Sequence, residues 1–225
     1  MGPYAKEELL ACVIARLLGG ARHAAIGAAS PIPATAAFLH AQSDAVFRVS
    51  LQQRRAANPL TEGARELFDL AGQGRIDVFF LGGAQIDGAA NVNLVTAEGK
   101  RFPGSFGSAY MYPVVPRVIL FREEHSPRVL VPKVEFVSAC GDPAALVTGK
   151  ALFSWQRDKR RFRLESVHPG ASMDEVRDQT GFDYDVSPAA AQTPQPTEKE
   201  LEILRTKVAG VIARDYPEFA LKVWG

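Results

Sequence analysis

The run Ile76-Asp77-Val78-Phe79-Phe80-Leu81 passes directly into Gly82-Gly83-Ala84-Gln85-Ile86-Asp87-Gly88. Six residues this apolar, closed by glycines and too short for a globular helix, read as a buried strand that ends in a tight loop. Paired glycines let the backbone approach a ligand closely and leave neighbouring N–H groups free to face an anionic oxygen. Such a loop could cradle a phosphate or form an oxyanion hole. A tight turn whose backbone is satisfied by Asp87, Asn91 and Asn93 explains the same pattern. The loop is no Walker sequence, because no Gly-Lys-Ser/Thr follows, and it lacks the G-x-G-x-x-G of a dinucleotide fingerprint.

The flanking segments place this strand in an α/β fold. Leu9, Leu10, Val13, Ile14, Leu17 and Leu18 recur at helical spacing before Gly19-Gly20. A short strand over 21–27 should run through Ser30-Pro31-Ile32-Pro33 into a helix from Ala34 to His40, an order whose loop lies at the carboxyl edge of a sheet. Residues 45–51 read as a strand, 52–60 as a polar loop and 62–70 as a helix. Further strands are expected over 117–121, 129–131 and 134–137. The segments 151–155 and 161–166 form a hairpin about the polar turn Gln156-Arg157-Asp158-Lys159. Ser172 to Glu175 and Thr197 to Glu200 are capping-box patterns, each starting a helix. Together these predict an open, mostly parallel sheet flanked by helices, in a single domain over 1–225 with a linker and last helix over 193–225.

Charge and cysteine usage narrow the function. Lys+Arg 26 against Asp+Glu 25 gives +1, which argues against nucleic-acid binding driven by a basic surplus. No run approaches the ~20 apolar residues of a membrane span. Cys12 and Cys140 lie far apart, as in a reducing cytoplasm. The four histidines are scattered, so no metal site is expected. His125 reads as a solvated loop residue rather than a general base, and His168 as structural. Trp155 and the phenylalanines read as core, and the mixed run Arg157 to Arg161 as a solvated turn.

A second glycine-rich segment, Phe102-Pro103-Gly104-Ser105-Phe106-Gly107-Ser108-Ala109, has small residues that permit a bulky ligand to approach. An irregular loop explains it equally. In order and spacing, these two segments, Pro132-Lys133-Val134-Glu135-Phe136-Val137-Ser138, and His168-Pro169-Gly170 through Thr180-Gly181-Phe182-Asp183 resemble the β subunit of class I CoA-transferases, glutaconate type. The resemblance covers nearly the whole chain and implies the CoA-transferase-like, sugar-phosphate-isomerase-like fold. It implies that Gly82, Gly83, Ala84 and Gln85 supply oxyanion donors and that Gly104, Ser105 and Gly107 line an acyl-CoA channel. Coenzyme A would enter as part of the substrate, with no tightly bound cofactor. A homologous α subunit would complete an α2β2 heterotetramer.

In that family a glutamate at the end of an early strand attacks the thioester. The motif should fall near Val49-Ser50-Leu51-Gln52, and no glutamate is there; between Glu8 and Glu62 the sole acidic residue is Asp44. Asp44 is short and at the wrong end of its strand, and Glu62 lies beyond a proline-containing loop. No catalytic residue is therefore assigned. Arg48, Arg54 and Arg55 occupy this region and could hold a carboxylate or CoA phosphate, or simply be solvated. The implied activity is transfer of CoA between carboxylic acids with a displaced or partner-supplied carboxylate. The steroid ring-opening hydrolase branch, whose β subunit lacks the glutamate, is the alternative, as is a non-catalytic partner that completes a CoA pocket.

Overall fold

The computed structural model describes residues 3–54, 58 and 60–225. They form two compact units, Met1–Val78 with Gln195–Gly225, and Phe79–Pro194. In the first, α1 (Lys6–Arg16) buries Leu9, Leu10, Val13 and Ile14 as the spacing predicts. Strands β1 (His23–Ile26) and β2 (Arg48–Leu51) are parallel, with His23 opposite Arg48 and Ile26 opposite Leu51. Between them α2 (Pro31–Ala41) begins three residues earlier than predicted. Pro31 opens it because first-turn N–H groups have no helical partner to lose. Strand β2 starts later than expected, since the Asp44 carboxylate accepts from the Val46 N–H and turns the chain there. Helix α3 (Ala64–Gly72) buries Leu67 and Ala71.

The chain enters the second unit along β3 (Val78–Leu81), buried at all four residues, then forms β4 (Gln85–Asp87), β5 (Val92–Asn93), β6 (Thr96–Ala97) and β7 (Lys100–Arg101). It continues through α4 (Ser108–Val114), β8 (Arg117–Arg122), β9 (Leu130–Val131), β10 (Ala145–Thr148), β11 (Ala151–Gln156), β12 (Arg161–Val167), α5 (Met173–Asp178) and β13 (Asp185–Gln192). Its large sheet runs β13-β12-β11-β10-β8-β3, and a small sheet runs β5-β4-β9. The pairs β8–β10 and β12–β13 are parallel, while the predicted hairpin β11–β12 is antiparallel. Strand alternation buries Phe153, Trp155 and Phe162, whose rings meet edge to face at 4.9 and 6.4 Å and lock the hairpin.

Three expectations for this unit are corrected. Val134–Val137 is no strand, because the N–H groups a ladder would use are taken by side chains: Val134 N donates to Asp87 and Glu135 N to Gln85. Residues 102–109 are not all loop, since α4 begins at Ser108 despite Pro113. Strand β13 went unpredicted because Pro188 sits in it; at a sheet edge a proline costs no ladder bond.

The chain then returns to the first unit. The expected last helix is four pieces: α6 (Glu198–Ile203), a π-helical turn (Leu204–Val208), α7 (Ala209–Asp215) and α8 (Pro217–Trp224). Pro217 forces the break. The capping box at α6 forms as predicted, with Thr197 N donating to Glu200 at 2.7 Å and Glu200 N to the Thr197 hydroxyl at 3.2 Å. No helix among the described residues is long and apolar enough to cross a membrane.

Candidate functional site

The turn after β3 is built by close backbone contact. A Cβ on Gly82 would lie 2.9 Å from Phe121 O, and one on Gly83 would lie 2.5 Å from Val92 Cγ1 and 3.0 Å from Asn93 O. Glycine is therefore required by the protein's own packing at both positions. Gly82 is exposed at the carboxyl end of β3, whereas Gly83 is buried. The Ala84 N–H donates to Asn93 O at 2.8 Å, so this amide is already engaged.

Beneath the turn lies a polar network in which Gln85, Asp87 and Asn93 are buried and Glu135 is exposed. Gln85 Nε2 donates to Glu135 Oε1 at 2.9 Å, and Gln85 Oε1 accepts from Asn93 Nδ2 at 2.8 Å and Glu135 N at 3.1 Å. Asp87 accepts from Ala89 N, Asn91 N, Asn91 Nδ2 and Val134 N at 3.0–3.2 Å. Ser138 bridges Leu94 N and Val92 O. The Gln85 amide thus fixes the turn and the 132–138 segment. In this network the Asx residues satisfy backbone as the turn reading requires, while Glu135 is a member that sequence reasoning did not single out as one.

In the second segment, Gly104 (φ 107°) and Phe106 (φ 48°) are both left-handed. Gly107 caps α4, Ser105 O accepts from Ser108 N at 2.8 Å, and Phe106 is 70% exposed. A bulky side chain held at positive φ is strained, which in folded proteins often accompanies a ligand-facing loop.

Two histidines share one scaffold. His125 is buried, with Nδ1 2.8 Å from Thr148 Oγ1 and Nε2 3.0 Å from Thr180 Oγ1. Burial drives its pKa from 6.5 to about 4. The solvated-loop reading is therefore corrected, because the turn before β9 folds inward. His168 is structural, held between the Thr193 hydroxyl and Thr148 O. Trp155 is core, with its indole N–H on Asp142.

In the first unit, the region expected to hold the family glutamate carries no carboxylate. Asp44 caps a turn at the opposite end of β2, and Glu62 pairs with Arg65 on the surface at 3.5 Å. Arg54 is paired within the protein: its guanidinium donates to Asp215 at 2.8 and 3.2 Å and covers the Phe38 ring. Arg55 lies outside the described residues. A cavity of about 770 Å³ opens against the amino ends of β1 and β2, lined among others by Arg22, His23, Arg48, Ser50, Arg75 and Asp77. There His23 Nε2 lies 2.8 Å from Ser50 Oγ. Sequence reasoning missed this pair because its members sit 27 residues apart on two strands, with no local signal. Among the described residues no cluster of three potential ligands could hold a metal ion.

The coenzyme A transferase family model matches residues 36–179. A 3-oxoadipate CoA-transferase chain of Pseudomonas knackmussii is 30% identical over 162 residues, 62% of this chain and 62% of the relative. A cholesterol ring-cleaving hydrolase IpdB subunit of Rhodococcus jostii is 29% identical over 163 residues, 63% and 62% respectively. The chain therefore spans about three fifths of the length of the curated relatives it matches. The decarboxylase AibA/AibB superposes with a TM-score of 0.78 at 24% identity, over 90% of this chain and 94% of that one, which establishes the shared fold.

Proposed function

The chain belongs to the coenzyme A transferase family, and from that premise we propose that it is the β-type half of a heteromer acting on an acyl-CoA thioester. Its partner is a homologous α subunit in an α2β2 assembly, and CoA passes between carboxylic acids by way of a carboxylate that the partner supplies. Coenzyme A arrives with the substrate, no cofactor is tightly bound, and the compartment is the cytoplasm. The observation that carries this reading is the exposed Gly82 at the carboxyl end of a fully buried strand, the edge at which open α/β sheets bind ligands.

Gly82 and Gly83 are the backbone donors for the thioester oxyanion. Ala84 and Gln85, already bonded to Asn93 and Glu135, hold the turn in place. Preorganised donors of this kind stabilise charge that develops only in the transition state. Gly104, Ser105 and Gly107 line the acyl-CoA channel.

A second reading, a CoA-dependent ring-opening hydrolase subunit, is favoured by one observation: Ser50, not a carboxylate, stands on β2 where the glutamate is expected. The test is to co-express the chain with its α subunit and supply acyl-CoA with and without an acceptor acid in ¹⁸O-water. CoA transferred to the acceptor supports the transferase. Free CoA or a ring-opened product carrying ¹⁸O supports the hydrolase. An inert complex that binds no CoA refutes both.

A further inference from the structure

We propose that Ser50 and His23 form a nucleophile and general-base pair that hydrolyses carboxylic esters or thioesters bearing an anionic group. The pair belongs wholly to the first unit and does not depend on the acyl-CoA reading. His23 Nδ1 lies 2.9 Å from Arg75 O. A carbonyl oxygen only accepts, so Nδ1 carries the proton and Nε2 presents a lone pair. Ser50 Oγ, 2.8 Å away, must then donate to Nε2. Nucleophile, base and orienting group stand in the order that activates a serine. The base is fixed from behind as well, because Asp77 Oδ2 accepts from the backbone N–H groups of Arg22 and His23 at 2.8 and 2.9 Å.

The surroundings suit this chemistry. Both residues line the cavity of about 770 Å³, a volume that admits a small organic ligand. Burial lowers the His23 pKa, outweighing the bond to Arg75 O, so the ring is neutral and able to accept a proton at pH 7. The charged groups facing it are Arg22, Arg48, Arg75, Glu66 and Asp77. Asp77 accepts from backbone N–H groups and lies 3.9 Å from the Arg22 guanidinium, and Glu66 accepts from the Thr61 hydroxyl and Glu62 N. With Arg22 and Asp77 offsetting each other, Arg48 and Arg75 against Glu66 leave the lining modestly positive, which favours a carboxylate- or phosphate-bearing substrate.

In the reaction, Ser50 Oγ attacks the carbonyl carbon as its proton moves to His23 Nε2. The Oγ–C bond forms, the C–O or C–S bond breaks, and the proton passes to the leaving alkoxide or thiolate. Water then attacks the acyl-serine and gives its proton to Nε2. The acid leaves, and the proton returns to Ser50. A carbonyl orients the ring but adds no negative charge to stabilise the imidazolium, so turnover is slow beside that of a carboxylate-oriented pair.

The test is fluorophosphonate labelling of the full chain followed by peptide mapping, with hydrolysis of 4-nitrophenyl hemisuccinate against the neutral butyrate ester. The expected result is one adduct, on Ser50, with the anionic ester preferred. His23→Gln slows labelling by at least ~100-fold, the scale of a general base, and Ser50→Ala abolishes it. Thermal melting shows that both variants fold. Ser50→Cys serves if either does not: alkylation of the introduced thiol by iodoacetamide should titrate below the ~8.5 of an ordinary thiol. A folded chain without a Ser50 adduct, labelling indifferent to His23→Gln, or an introduced thiol in Ser50→Cys that titrates normally overturns the proposal and leaves the pair an interstrand hydrogen bond.

Discussion

Glu8→Gln removes the carboxylate that ties α1 to the carboxyl-terminal helices. Glu8 is 2% exposed and accepts four hydrogen bonds, from Arg205 Nε and Nη2 at 2.9 Å each, Trp224 Nε1 at 3.0 Å and Ala5 N at 2.9 Å. Burial alone would raise its pKa, but the bonds from Arg205, Ala5 and Trp224 outweigh it and hold the carboxyl below the usual 4.5. Glutamine replaces one oxygen with a donor, so at least two of the four bonds are lost. Hydrogen bonds to a charged group contribute roughly 1.5–3 kcal/mol each. The Arg205 side chain is 45% exposed and recovers part of its solvation, which leaves a cost of about 3 kcal/mol. For a chain of this size that corresponds to a fall in Tm of roughly 6–12 °C, read by calorimetry at pH 7. Because the folded pKa is depressed, this stability is present above about 4.5 and is lost as pH falls through the folded value. The gap between native and variant should therefore close in acid. A Tm within about 2 °C of native at pH 7, or a gap that persists in acid, would refute the argument.

Gly83→Ala places a Cβ against Val92 Cγ1 and Asn93 O and should cost about 2–3 kcal/mol by overpacking; urea denaturation measures it. His125 makes the protein acid-sensitive. Its folded pKa of about 4 against 6.5 means that the unfolded chain binds the proton first, so stability falls as pH drops from 6.5 to 4. The total is about 3 kcal/mol, roughly 1.4 per pH unit, and this part of the slope should be absent in His125→Asn. Cys140 is exposed, while Cys12 is buried with its thiol pushed up to about 12. A disulfide-exchange reagent at pH 8 should titrate one thiol rapidly and the second only on unfolding.

Much of the architecture was legible because its signals are local. Val78 to Leu81 is apolar at every position, the 151–167 hairpin alternates about a polar turn, and Thr197 announces its own capping box. What escaped depends on partners distant in sequence. Val134 to Val137 has the composition of a strand, yet Asp87 and Gln85 take the N–H groups that would make it one. His125 looks solvated between Glu124 and Ser126 until Thr148 and Thr180 are seen to enclose it. The candidate site divides in the same way. Gly82 and Gly83 are visible as a pair, but the Gln85–Glu135 and Ser50–His23 contacts join segments 50 and 27 residues apart. Arg54 shows the converse, a cation suggestive of a ligand that is committed to Asp215.

The central claim is that this member of the coenzyme A transferase family contributes no carboxylate nucleophile of its own. Intact mass spectrometry of the chain, alone and with the α subunit proposed for it, after acyl-CoA and hydroxylamine tests it most directly. The account predicts that no CoA thioester or hydroxamate forms on any carboxylate of this chain, and that thioester is consumed in the CoA reaction when the α subunit is present. A CoA-bearing adduct or hydroxamate mapped to this chain, at Asp44 or Glu62 above all, would contradict it.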